Sequence, residues 1–449
     1  MQKKDIIVIG GSAAGLVAAM TSKLSYPNKS VTLFRKEEKV MIPCGIPYIF
    51  GSLNSSDENI LPDQGLLNAG VEIIVNTVDL VDHENHQVVT IDGERYSYEK
   101  VIIATGSIPW VPSFIQGTDL ENVFTIPKNK TYLDLIQGLM KPMKKIAVIG
   151  AGFIGVEVSD ELVKSGKEVF LIESRENILG GTFDEEACTI AEDSLKNDGV
   201  QIMTSTFVTK IEGKSKVEKV IFKDGSELAV DAVILTIGYK PNVELARKSG
   251  ISINKQDQIK VDAYMRTHQQ DVFACGDCAQ KRDFITGKIT PIMLASTACA
   301  EARVTAMNLY ELNTIRSFNG TIGIYSTVIG NTSFGVAGIT EKFAKQEGFG
   351  ILTGSFKGMD RHPGKLNNGH YQLVKLIANK TTGLIMGGEV IGGNSAGELT
   401  NVLGFIIQNK MTVSDLMVSQ IGTQPMLTAS PAAYPIVKAA ETILRKMIK

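Results

Sequence analysis

The stretch Val40–Gly51, V-M-I-P-C-G-I-P-Y-I-F-G, carries one thiol, Cys44, with Gly45 behind it and Pro47 shortly after. Proline suits the first turn of a helix, where its missing N–H would have no partner, so a short helix is expected to open at Pro47. A sulfur just ahead of such an end meets the positive pole of the helix, which favours thiolate over thiol and hence nucleophilic and redox chemistry. Taken alone, a cysteine beside Gly and Pro reads more readily as a small buried turn residue. A second candidate is Thr267–Asp277, T-H-Q-Q-D-V-F-A-C-G-D, which sets the Asp277 carboxylate at a strand end beside a cofactor's sugar chain. Cys275 and Cys278 form a C-x-x-C, a spacing that serves redox pairs in other proteins. The Gly-Asp between them already belongs to the carboxylate motif, so a disulfide is not expected there. His362 and Tyr434 fall in expected loops, where a structural role is the simpler reading for each.

The elements that must position these groups are two glycine-rich turns. Asp5–Gly15, D-I-I-V-I-G-G-S-A-A-G, runs from an apolar strand into a turn, and Leu16–Leu24 continues with helical character. Gly10 makes the tight turn, Ser12, Ala13 and Ala14 let the backbone approach a pyrophosphate, and Gly15 packs helix on strand. The next strand, Val31–Phe34, ends in Arg35 where an acid for the ribose is expected, so the adenosine half must be held in another way. Ala104, Thr105 and Gly106 close a further buried strand. The second turn begins at Lys145, K-I-A-V-I-G-A-G-F-I-G-V-E, with Gly150, Gly152 and Gly155 in full register and Phe153 and Ile154 between them. Its following strand, Glu168–Ile172, ends in Glu173, at the distance expected for an acid that accepts from a ribose 2′-hydroxyl. Arg175 keeps a 2′-phosphate open as the alternative. Asp231–Asn242 repeats the Ala-Thr-Gly strand for this second motif and contains Gly238. Pro291–Leu309 reads as a helix whose first amides, near Ala295 and Thr297, face an electron-rich ring.

From about residue 320 the glycine-rich phosphate loops stop. Strand-like runs (Gly323–Gly330, Ile351–Phe356, Tyr371–Ile377, Leu384–Gly392) alternate with helices near Thr340 and at Ser395–Gln408, as in an α+β domain used for packing or pairing. The expected fold class is α/β: two Rossmann-like dinucleotide-binding domains (1–115 with 245–320, and 116–244) and a C-terminal α+β domain (321–449), which the family resemblance given below assigns to FAD, to NAD and to dimerisation.

Composition narrows the function. A chain of 449 residues, 43% hydrophobic and 21% charged, has enough apolar content for several cores. A net charge of −2 provides no footprint for nucleic acid, and no apolar stretch reaches membrane-spanning length. Five cysteines, at 44, 188, 275, 278 and 299, are too sparse for a secreted disulfide framework. Met-Gln-Lys-Lys-Asp leads directly into a strand, without a signal-peptide core. A cytoplasmic protein without nucleic-acid, membrane or metal sites is expected.

In order and spacing, the two glycine motifs, Ala104–Gly106, Ile237–Asn242 and Ala274–Asp277 resemble the FAD- and NAD(P)H-dependent pyridine nucleotide–disulfide oxidoreductases over the full length of the chain. The resemblance implies FAD across the first motif, Asp277 on its ribityl chain, backbone near Val78 at the adenine, and Phe153 facing the nicotinamide. It implies a homodimer in which loops around His362 and Tyr434 reach the partner's Cys44. Most disulfide reductases of the family carry two cysteines separated by four residues. Here position 39 is Lys and position 49 is Ile, which is similar to the single-cysteine branch: NADH oxidases and peroxidases, CoA-disulfide reductases, and persulfide or polysulfide reductases. C-G-I-P-Y looks most like the last two groups. Ala13 stands where oxidases and peroxidases carry a histidine. Against CoA-disulfide reductases, the first helix keeps only Lys23 as a basic residue, and Gln424-Pro425 stands where two-cysteine enzymes place a His-Pro base. The resulting expectation is an enzyme that passes electrons from NADH, with NADPH as alternative, through FAD to Cys44 and on to a small disulfide or persulfide such as CoA disulfide. The alternatives are an NADH oxidase that reduces oxygen, and a flavin- and NADH-binding sensor without turnover.

Overall fold

Ile6–Ile9 is a strand buried along its whole length, as an unbroken Ile/Val run is when a parallel sheet is covered on both faces. The computed structural model describes residues 2–314 and 317–448. Ile6–Ile9 lies at the centre of five parallel strands in the order Val272–Ala274, Lys100–Ile103, Ile6–Ile9, Val31–Arg35, Val71–Val75. Alternate side chains point to opposite faces. Ile7, Ile9 and Val101 belong to one apolar cluster; Ile6, Val8, Leu33 and Ile102 belong to another. The helices Ala13–Ser25 and Ala295–Met307 pack together against the second face, where Ala14, Ala18, Ala298 and Ala302 are all buried. Small side chains at this contact let the two backbones approach. This sheet belongs to a compact unit formed by Met1–Ser113, Phe124–Met143 and Ile237–Thr321.

The other unit comprises Phe114–Val123, Lys144–Thr236 and Ile322–Lys449. Its strands Ala232–Leu235, Lys145–Ile149, Glu168–Ile172 and Gln201–Met203 run parallel in that order. The helix Phe153–Lys164 follows the second glycine turn. A five-stranded antiparallel sheet follows in the chain, ordered Ile324–Ile329, Thr332–Gly338, Ile385–Ile391, Tyr371–Asn379, Ile351–Met359. The helices Ala396–Gln408 and Pro435–Met447 pack on it. Asp184 ties the two parts of this unit together. Its carboxylate accepts from the Glu341 and Lys342 amides and pairs with Lys375 at 2.8 Å, while its own N–H donates to Glu389. Burial, reinforced by the Asp184 charge, pushes the Glu389 carboxyl up to about 7.

Two elements depart from the sequence reading. Thr332–Gly338 is an additional strand. Pro435–Met447 is an additional helix; Tyr434 keeps the expected non-helical position, directly before it as its N-cap. Ile436, Ala439, Ala440 and Ile443 form the buried stripe of that helix, with Pro435 at its first position. Among the described residues, no helix is long and apolar enough to cross a membrane.

Candidate active site

The first glycine turn opens onto a cavity of about 660 Å³, within the usual range for cofactor pockets. Gly10, Gly11 and Ser12 line it on one side, Ala104, Thr105 and Gly106 on another, and Asn76, Thr77 and Val78 on a third. Gly10 has φ +124, and a Cβ there would lie 2.1 Å from the Ala104 carbonyl oxygen. Only glycine lets the two strand ends come so near. Ser12 precedes the 13-residue helix Ala13–Ser25 without capping it through its side chain, so the first amides keep their capacity for an anion. A glycine-walled cleft ending at a helix N-terminus fits a dinucleotide with a pyrophosphate.

Arg35 is on the wall of this cavity, but its guanidinium is engaged elsewhere. It is 4% exposed, forms a bidentate pair with Asp63 at 2.5 and 2.6 Å, and donates to the Glu38 carbonyl. Asp277 lies behind the lining. Its carboxylate accepts from Ser107 at 2.7 Å and pairs with Lys128 at 3.1 Å, and both of those residues line the cavity. Although burial opposes it, the Lys128 charge and the Ser107 bond hold the Asp277 carboxyl below its ordinary value. Thr297 is buried and bonds Thr321 at 2.6 Å, and Ala295 begins its helix. The Cys275 and Cys278 thiols are both fully buried and unbridged.

Val40 and Met41 also line the cavity, and the chain leads from them to Cys44, whose side chain is exposed. A short helix does open at Pro47, but Pro47–Phe50 is a single 3₁₀ turn, and Cys44 lies inside another, Pro43–Gly45, rather than ahead of a helix. So few aligned peptides sum to little macrodipole. The loop is held by side chains distant in sequence. Asn59 Nδ2 donates to the Ile42 carbonyl at 3.0 Å, and Gln137 Nε2 donates to the Ile49 carbonyl at 2.5 Å. The neighbouring sulfur, Cys299 on Ala295–Met307, was not singled out from sequence. Burial raises its thiol pKa, the Arg303 charge opposes this, and Cys44 is near enough to add to the rise.

In the other unit, Glu173 sits at the second glycine turn. Oε2 accepts from the Ala151 amide at 2.9 Å; Oε1 accepts from the Arg175 amide at 2.9 Å and the Ser174 hydroxyl at 3.1 Å. Gly152 caps Phe153–Lys164 and leaves open space before it, while Gly155 crosses close against the Gly150 carbonyl. The arrangement fits a second dinucleotide. The Arg175 guanidinium lies toward Gly181. Phe153 stacks on Tyr325, with ring centroids 5.1 Å apart. His362 packs against the loop 424–428, where its N–H donates to the Pro425 carbonyl and its Nδ1 lies 2.9 Å from the Thr428 carbonyl. A carbonyl only accepts, so this bond places a proton on Nδ1. Burial raises the Tyr434 phenol above its ordinary value.

A parallel-sheet unit with a dinucleotide cavity and a nearby cysteine, together with a second dinucleotide turn, defines a flavin- and pyridine-nucleotide-dependent oxidoreductase. Residues 4–302 match the pyridine nucleotide-disulphide oxidoreductase family and residues 324–433 its dimerisation domain; the chain belongs to that family. FAD and NAD(P)H are the cofactors of the class. The chain is 30% identical to an NADH oxidase of Methanocaldococcus jannaschii, across 98% of this chain and 99% of that one. It is also 30% identical to an NAD(P)H sulfur oxidoreductase (CoA-dependent) of Pyrococcus abyssi, across 98% of both. Among solved structures it is similar to an NAD-dependent persulfide reductase from A. fulgidus, with TM-score 0.90, 28% identity, and coverage of 98% of this chain and 83% of that one.

Proposed function

We propose that this enzyme uses NADH to reduce a small disulfide or persulfide at Cys44. The observation that carries the reading is the exposed Cys44 thiol on a loop that starts in the wall of the dinucleotide cavity. When bound, FAD supplies the two-electron relay between NADH and a sulfur–sulfur bond. Gly10–Gly15 and Asp277 hold that cofactor, while Gly150–Gly155 and Glu173 hold NADH. The division by role is FAD-binding (1–115 and 245–320), NAD(P)H-binding (116–244) and C-terminal (321–449).

The Cys44 thiolate attacks one sulfur of the acceptor. A Cys44–sulfur bond forms, the acceptor's own S–S bond breaks, and the second sulfur departs as thiolate. Two electrons from NADH, which leaves as NAD⁺, then split the new bond, release the first sulfur as a second thiolate and restore Cys44 as thiolate. One cysteine suffices because the acceptor provides the second sulfur. Lys23, the one basic residue of the first helix, already donates to the Pro27 and Lys29 carbonyls, and a single, partly engaged ammonium is a weak site for CoA phosphates, which favours smaller acceptors over CoA disulfide. Steady-state NADH oxidation with CoA disulfide, CoA persulfide, polysulfide, peroxide and oxygen, compared side by side, tests the reading. Fastest turnover with a sulfur acceptor is expected, and exclusive use of oxygen would transfer the assignment to NADH oxidase.

NADH is preferred over NADPH, because the Glu173 carboxylate accepts from a ribose 2′-hydroxyl and repels a 2′-phosphate. Glu173→Ala is expected to narrow the ratio of specificity constants about tenfold. A wild-type ratio in favour of NADPH would show that Arg175 governs the choice.

The active form is a homodimer paired through the C-terminal domain, in which His362 and Tyr434 serve the partner's Cys44. Val418, Met426 and Leu427, on or shortly before the loop 424–428 against which His362 packs, are exposed by 82%, 52% and 66%, and pairing would take this apolar area out of water. Light scattering at assay concentration is expected to return twice the chain mass. Full activity in a monomer would remove this part of the proposal.

A further inference from the structure

Behind Asp277 lies a buried ion pair that none of the reactions above requires. Glu301, on the helix Ala295–Met307, and Lys281, on the segment after Asp277, are 0% and 3% exposed, with Lys281 Nζ 3.8 Å from Glu301 Oε1. Taking two charges out of water costs several kcal/mol per ion, so such a pair is poor value as a source of stability alone. Two of its three other bonds converge on one residue, Gly276. Glu301 Oε2 accepts from the Gly276 N–H at 2.8 Å, and Lys281 Nζ donates to the Gly276 carbonyl at 2.9 Å and to the Ala279 carbonyl at 2.9 Å.

Gly276 is the residue immediately before Asp277. Its φ is +80, and a Cβ on it would come within 2.8 Å of Ala14 Cβ, on the first helix. The turn is therefore left-handed, tightly packed and without a side chain of its own to anchor it. Charge-assisted bonds on both faces of the Gly276 residue supply that anchor. Burial raises the Glu301 carboxyl to about 7 while the Lys281 charge draws it down. The pair faces the turn, and the turn presents Asp277 to Ser107 and Lys128 at the cavity wall.

We infer that Glu301 and Lys281 are positioning residues: a buried clamp on Gly276 that sets the angle of Asp277 and so prepares the cavity for FAD before FAD arrives. The inference rests on FAD as the occupant of that cavity. Preorganisation of this kind raises affinity because the ligand need not order the turn itself.

The test is titration of apoprotein with FAD, followed by flavin fluorescence. Lys281→Met/Glu301→Gln removes both charges together, leaves no unpaired ion, and deprives the Gly276 carbonyl of its donor. Its FAD dissociation constant is expected to rise at least about tenfold with apoprotein secondary structure unchanged. Glu301→Gln alone keeps an acceptor oxygen for the Gly276 N–H and is expected to stay within about threefold of wild type. Wild-type affinity in the double variant, or equal losses in single and double variants, would overturn the clamp. Wild-type protein provides a measurement independent of any variant's folding. Amides 276–279 are expected to resist hydrogen exchange in apoprotein, and protection that appears only after FAD is added would overturn preorganisation. Wild-type apoprotein that takes up no FAD would instead remove the cofactor reading on which the inference stands.

Discussion

Cys44→Ser is expected to retain FAD and NADH-to-dye electron transfer, and to lose reduction of every sulfur acceptor by about 1,000-fold or more. A serine hydroxyl is not ionised near neutral pH and forms no sulfur–sulfur bond, so exchange with a disulfide or persulfide has no first step. Any long-wavelength absorbance that appears in wild type on two-electron reduction, from thiolate against oxidised flavin, should be absent as well. Hydrogen peroxide should be a poor acceptor in both forms, because Ala13 offers no acid–base group at the first glycine turn. Pro47–Phe50 is one 3₁₀ turn and offers Cys44 little macrodipole. If Cys44→Ser reduced sulfur acceptors at the wild-type rate, the exposed thiol would be incidental and the proposed reaction wrong.

Gly10→Ala is expected to yield protein without bound flavin, its FAD affinity lower by at least about 100-fold. The added Cβ would stand 2.1 Å from the Ala104 carbonyl oxygen and 2.7 Å from its carbon, both main-chain atoms that no rotamer change can move aside. The position also has φ +124, where an L side chain is strained by about 1–3 kcal/mol. Relief requires the ends of Ile6–Ile9 and Lys100–Ile103 to separate, and these ends form the cavity wall. Gly138→Ala is the control. Gly138 lies within the helix Lys130–Met140 and its Cβ would meet nothing within 4 Å, so flavin content should not change and stability should rise by about 0.5–1 kcal/mol. Absorbance at the flavin band and circular dichroism read both outcomes. A yellow Gly10→Ala protein with wild-type affinity would mean that the close crossing is not needed.

Much of the positioning machinery could be read from the chain because it is local. Strand, glycine turn and helix follow one another within about 20 residues at Ile6–Ser25 and again at Lys145–Lys164, and each glycine has a steric reason that depends on its immediate neighbours. The acid at Glu173 follows from the same short-range geometry. Four of the strands after residue 320 were legible from their β-branched and apolar residues, and Thr332–Gly338 was not. Amphipathic spacing in Pro435–Met447 was present but lies beyond the motifs on which attention falls.

What only the tertiary structure decided are the partners. Arg35 stood out as an anomaly in the sequence, and its answer, Asp63, is 28 residues away. Asn59 and Gln137 steady the Cys44 loop from 17 and 88 residues along the chain. Lys128 meets Asp277 across 149 residues, and Glu301 reaches Gly276 across 25. Cys299, which carries no motif, enters the surroundings of Cys44 because its helix packs on the first. The sequence by itself determined the two strand–glycine turn–helix units, since these follow from residue type and short spacing, while Cys44 stood out only through the resemblance of the whole chain to a family. The side chains that aim those groups are ordinary Lys, Glu, Asn and Gln. Their roles come from long-range packing, which brings charge and amide to particular backbone atoms once water has been excluded.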